Sequence, residues 1–160
     1  MQVGRPAISF EEAPMNSVSR CTFPQPFKAI GCAECRDVEA LGFDFTMAFQ
    51  LILDVEERRP FAYEALVRGS KGESAREVLG QVNDGNRYRF DQACRVRAIE
   101  RAAQLGLLDV PDCLLSINFL PNAVYRPETC IRATLEAARL FDFPRERLMF
   151  EVTEGEQIHD

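Results

Sequence analysis

The chain has 160 residues, 46% of them hydrophobic and 28% charged, with a formal net charge of −6. Those proportions suit one globular domain with its own core and exclude disorder along the whole length. The acidic balance, with no run of Lys or Arg, excludes a generic binder of duplex nucleic acid and a polybasic membrane patch, yet a few arginines can still hold the phosphates of a small nucleotide.

Residues 1–44 carry Pro6, Pro14, Pro24 and Pro26 and show no sustained apolar period, so they are expected to form an irregular leader. The start MQVGRPAISF lacks the basic and apolar regions of a signal peptide, and no segment is long and apolar enough to span a bilayer. The expected location is the cytoplasm, with Cys21, Cys32, Cys35, Cys94, Cys113 and Cys130 as reduced thiols. Cys21 with Cys32-x-x-Cys35 has the spacing of part of a zinc site, but the sole histidine is His159, at the far end, and free thiols are the favoured reading.

Regular structure is expected to begin at Phe43–Val55, where Phe45, Met47, Phe49 and Leu51 alternate as in a strand. Phe61–Val67 suits a second strand, and the short connection makes the pair an antiparallel hairpin. Ser74 with Glu77 reads as a capping box opening a helix with Val78 and Val82 inward, broken at Asn83–Asn86. The next helix puts Phe90, Cys94, Ile99, Ala102 and Leu105 near one face, and Gly106 ends it. Cys113–Leu120 reads as a buried parallel strand. Pro127 and Glu128 open a helix, Thr129–Leu140, with Ile131, Leu135 and Ala138 inward, and Arg147–Glu154 is the last strand. Helices between parallel strands make the fold class α/β, open or barrel.

Three of these strands carry an oxygen-bearing side chain inside an apolar run: Glu64, Asn118 and Glu151. A buried carboxylate without a partner costs several kcal/mol, on the order of what a shared cation can offset. Two carboxylates and an amide oxygen are hard ligands suited to Mg²⁺ or Mn²⁺. On parallel neighbouring strands they can converge at one end of the sheet, where α/β folds place their sites; each taken alone reads more simply as a surface-facing strand residue. Arg68 closes the Glu64 strand, as a phosphate clamp or as a solvated arginine.

The strings YEALVRG (63–69), SINFLPNAVY (116–125) and FEVTEGE (150–156) resemble, in order and spacing, three motifs of the EAL domain family, the cyclic di-GMP phosphodiesterases. FTMAFQLILD and FDQACRVRAIERA are similar to the branch attached to blue-light (BLUF) sensors or standing alone. The resemblance runs from about Phe45 to the end, so the domain is expected at 45–160. It implies the N-terminal portion of a modified, TIM-like (β/α)₈ barrel whose first strand is antiparallel. It implies Glu64, Asn118 and Glu151 as metal ligands, with Glu64 and Glu154 in catalytic roles, Glu154 by anchoring a neighbouring loop. It implies Gln50, Leu66 and Arg68 as contacts to cyclic di-GMP, with Asp91 against a guanine. The chemistry implied is two-metal hydrolysis to linear pGpG.

The resemblance departs at two places. Leu51 stands where the family has proline after the glutamine. The later motifs (an Asp-Asp pair, a lysine near the attacking water and a further glutamate) have no counterpart: the chain has no adjacent Asp-Asp, and its lysines are Lys28 and Lys71. A complete barrel of this type needs about 250 residues. The expectation is a truncated domain, inactive alone, that is unstable or associates through a homodimer or a complementing second half. A non-catalytic cyclic di-GMP receptor and a ligand-free interaction fragment are the alternatives.

Overall fold

A period-two run sends alternate side chains to opposite faces of a sheet, and the first two apolar runs behave so. In the computed structural model, which describes residues 41–120 and 127–152, they form β1 (Phe45–Asp54) and β2 (Arg59–Gly69). The two pair antiparallel, from Phe45 opposite Gly69 to Asp54 opposite Arg59, with a bulge at Ile52/Leu53. The expected hairpin is present. Most of the expected leader, with Cys21, Cys32 and Cys35, lies outside the described residues, as do Glu154 and His159.

After the hairpin come α1 (Ala75–Leu79), α2 (Arg87–Gln104), β3 (Leu114–Phe119), α3 (Pro127–Leu140) and β4 (Leu148–Val152), with short 3₁₀ turns at Leu107–Asp109 and Arg145–Arg147. β3 is parallel to β2, and β4 is parallel to β3, so the sheet order is β1-β2-β3-β4. The result is a four-stranded mixed α/β sheet whose first strand alone runs backwards.

One face of this sheet is the core. Phe45, Met47, Ala65, Leu115 and Ile117 are buried on it, packed in one cluster with Phe90, Val96 and Ile99 of α2 and Ala133 and Ala137 of α3. Phe90 meets Phe45 with ring centroids 5.1 Å apart, which seats the start of α2 on β1. Burying a side chain of this size contributes about 1.5–3 kcal/mol, so the cluster dominates the stability of the sheet.

The helix boundaries follow local chemistry. Ser74 caps α1, accepting from the Glu77 amide while the Glu77 carboxylate accepts from the Ser74 amide at 2.8 Å. The Ser74 hydroxyl, donating to Glu77 Oε2 at 2.7 Å, and then the Ser74 amide hold the exposed Glu77 carboxyl below the usual carboxylate range. α1 stops at Leu79 with Gly80 as its cap, so Val82 joins the core edge from the following turn rather than from the helix. Gly106, at φ +80°, takes the left-handed position that ends α2.

Two inward assignments differ. Leu105 is 60% exposed, because it is the cap residue and has left the helical face. Leu135 is 41% exposed, while Ala133, Thr134, Ala137 and Ala138 are buried. The large apolar residues suggested the wrong phase for α3, whose packed face is built of small side chains that permit close approach.

Arg147, at the end of the last 3₁₀ turn, ties the lower edge of the sheet together. Its guanidinium donates to the carbonyls of Cys113 (2.7 Å), Leu107 (2.7 Å), Val110 (2.9 Å) and Leu108 (3.2 Å). A lysine has one ammonium and cannot reproduce this fork. Arg147→Ala is expected to destabilise the chain by about 2 kcal/mol or more, with Arg147→Lys recovering less than half of the loss; a shift in the urea midpoint measures both.

Candidate functional site

The site face is the opposite side of the same sheet. Register places Gln50 opposite Glu64, Glu64 opposite Ser116, and Asn118 opposite Glu151. Alternation then sets Gln50, Glu64, Leu66, Arg68, Ser116, Asn118 and Glu151 on one face of four adjacent strands. The predicted metal ligands therefore do share a face, and Asn118 and Glu151 lie near the C-terminal ends of their strands.

The contacts among them run diagonally, each spanning two residues along the neighbouring strand. The Asn118 amide Nδ2 donates to Glu64 Oε1 at 3.0 Å. The Ser116 hydroxyl donates to Glu151 Oε1 in a short hydrogen bond. The middle strand β3 thus takes one carboxylate from each flanking strand. All three predicted ligands are half-buried, whereas Gln50 is exposed on the edge strand.

A groove of about 500 Å³ is lined by Leu66, Arg68 and Asn118 of this row together with Asp91 and with core-side residues such as Met47 and Phe90. It brings together four of the predicted site residues. Arg68 donates to the Val67 carbonyl at 2.7 Å. Among the described residues it pairs with no carboxylate.

Asp91 is held on both sides. Its Oδ1 accepts the Leu120 amide at 3.1 Å, and its Oδ2 pairs with Arg95 at 3.0 Å. Both side chains are almost fully buried, at 3% and 1% exposure. The Arg95 guanidinium also stands over the Phe119 ring, 5.1 Å from its centroid. The pair fastens α2 to the point where the chain leaves β3, directly after Asn118. Asp91 is in the groove wall as the sequence suggested, and it has this tethering role as well.

Gly69, next to Arg68, is required by close approach: a Cβ there would sit 2.0 Å from Glu73 Oε2, inside the loop that leaves β2. Glu73 Oε2 in turn accepts the Lys71 amide at 2.8 Å, so a tight turn fixes the exit of the arginine strand.

A divalent cation fits this donor set. Glu64 and Glu151 come from β2 and β4, two strands apart, with Asn118 on β3 between them. Among the described residues no group of three or more His, Cys, Asp or Glu comes together to hold a metal. A cation on these residues would rest on the mixed carboxylate–amide set.

Other features are separate from this chemistry. A hollow of about 580 Å³ between the end of α3 and the Arg145 turn contains none of the predicted site residues. Cys113 is buried, and burial pushes its thiol up from its ordinary value, with nearby Arg147 partly opposing the shift. Cys94 and Cys113 are free thiols. No helix among the described residues is long and apolar enough to cross a membrane. Sequence reading missed Ser116 and Arg95. Ser116 falls two residues before Asn118, on its face, and Arg95 falls one helical turn after Asp91, so periodicity marks both once their partners are known.

A mixed sheet with a reversed first strand and a polar row facing away from its helices defines part of a TIM-like α/β barrel, with the site at the C-terminal ends of the parallel strands. The EAL domain model matches residues 39–160, and the chain belongs to the EAL domain family. A standalone versatile EAL protein from Vibrio cholerae O395, in its c-di-GMP-bound form, is 58% identical with a TM-score of 0.69 over 76% of this chain and 49% of its own. The Klebsiella pneumoniae protein BlrP1, as a manganese/cyclic di-GMP complex, is 28% identical with a TM-score of 0.61 over 72% of this chain and 28% of its own. The blue light- and temperature-regulated antirepressor BluF of Escherichia coli K12 is 29% identical over 111 residues, which are 69% of this chain and 27% of that protein. The chain therefore spans about half the length of the Vibrio protein and about a quarter of BluF.

Breaking the Asp91–Arg95 pair from either side leaves a buried charge. Asp91→Asn and Arg95→Met are each expected to cost about 3–5 kcal/mol, and the double variant less than their sum. Urea unfolding of the four proteins gives the coupling energy.

Proposed function

We propose that this chain supplies the N-terminal half of a cyclic di-GMP site, the half that grips the dinucleotide and begins a divalent-metal centre. The observation that carries the reading is the shared face of Glu64, Asn118 and Glu151, of which Asn118 also lines the groove that holds Leu66, Arg68 and Asp91. Cyclic di-GMP in the neighbouring solved complexes supports the ligand, and manganese or calcium in BlrP1 supports a divalent ion. For this chain the ion is Mg²⁺ or Mn²⁺.

In this reading Arg68 holds a phosphate by charge-assisted hydrogen bonds, and Leu66 and Gln50 flank the ligand. Asp91 meets a guanine only with the oxygen capacity left over from Arg95 and Leu120. Glu64, Asn118 and Glu151 would hold the cation, and Glu154 would anchor the adjoining loop. Bound metal lowers the pKa of a coordinated water and neutralises charge developing on the phosphodiester. The lysine, the Asp-Asp pair and the further glutamate that the family resemblance implies are not among these 160 residues. Hydrolysis to pGpG is therefore assigned to the completed barrel. A second half would pair at the free edge of β4, and a second copy of the chain is the other candidate for that edge. Residues 1–44 form a leader to the domain at 45–160, and the setting is cytoplasmic.

Calorimetry with cyclic di-GMP, with and without Mg²⁺, together with a chromatographic assay for pGpG, tests this. Binding that strengthens with Mg²⁺, without turnover by the 160-residue chain, is the expected result. Arg68→Ala is expected to weaken binding by about 10–100-fold. No heat of binding under either condition would overturn the ligand reading, and pGpG formation would overturn the division of catalytic groups.

A further inference from the structure

Ser116 is a polar residue in the most buried strand of the sheet, between Leu115 and Ile117, and its exposure is 0%. A fully buried hydroxyl without a partner costs about 1–3 kcal/mol by mutational measures, so a serine there needs a reason. Its hydroxyl donates to Glu151 Oε1 on β4, two residues beyond its register partner Met149. Asn118 does the equivalent on the other side, donating to Glu64 on β2, whose register partner is Ser116, two residues earlier.

We infer that Ser116 is a positioning residue for Glu151, a role that rests on the metal reading above. A serine hydroxyl has one proton to give. Given to Oε1, it fixes the carboxylate rotamer and leaves Oε2 as the oxygen without that donor. Glu151 is thereby presented to a cation through one defined oxygen from a half-buried position, instead of sampling its rotamers. With its proton given to Glu151, the hydroxyl would act on a cation through that carboxylate. Hydrogen-bond partners that orient a metal ligand typically contribute 10–100-fold to metal affinity.

The test is titration of the full 160-residue chain with Mn²⁺, following the free-ion signal by electron paramagnetic resonance, with circular dichroism as the check on folding. The unaltered chain, Ser116→Ala, Glu151→Gln and the double variant form a cycle. Ser116→Ala is expected to weaken Mn²⁺ binding by about tenfold or more. That loss should vanish when Glu151→Gln is already present, which a merely structural serine would not produce. Ser116→Cys, of similar size and a weaker donor, should fall between serine and alanine; it decides alone if the alanine variant does not fold. Unchanged affinity in the Ser116 variants, while Glu64→Gln and Glu151→Gln measurably weaken uptake, overturns the positioning role and leaves the metal reading standing. A Ser116→Ala loss that persists in full beside Glu151→Gln also overturns it. Failure of the unaltered chain to take up Mn²⁺ removes the metal reading and this inference together.

Discussion

The site hangs on one constraint: β3 must offer two short polar side chains, two residues apart, to a carboxylate on each neighbouring strand. Ser116 takes Glu151 and Asn118 takes Glu64. Two carboxylates on one face of the sheet, flanking β3, would repel, and each needs a donor to remain half-buried. A donor from the strand between them meets that need without introducing a fixed positive charge. The register that makes this possible is set on the opposite face, where Leu115 and Ile117 are locked into the core. A slip of one residue would exchange the two faces and remove core and site together.

The surrounding structure holds β3 at both ends. Below, Arg147 gathers four carbonyls from the segment leading into the strand. Above, the buried Asp91–Arg95 pair, the Leu120 amide and the Phe119 ring fix where the strand ends. These are arginine solutions at sites where a planar fork or a flat face is needed. Among the described residues Arg68 is not used in this way; it donates to the carbonyl of its neighbour Val67.

Much of this was legible in the residues. The change from period two to period 3.6 marked the strands and helices, the short connection gave the hairpin, and the capping box and Gly106 gave two helix boundaries. The polar interruptions at Glu64, Asn118 and Glu151 identified a face before any coordinates did. Leu105 and Leu135 misled because side-chain size was read as inwardness, whereas α3 packs through alanines and Leu105 lies past the end of its helix. Ser116 was not legible, since one hydroxyl among apolar neighbours has no signature until register reveals its partner. Asp91 was marked as a ligand contact by resemblance alone; its bond to Leu120 links residues 29 positions apart, a closure that local pattern does not carry.

The reversed direction of β1 has a consequence for traffic along the chain. Phe45 begins that strand opposite Gly69, and Thr46 faces Arg68, so the polypeptide enters the sheet beside the groove and not at the base. Had the first strand run with the others, the entry point would lie a full strand length away. A displacement of the backbone at Phe45 would therefore reach Arg68 through the β1–β2 ladder alone.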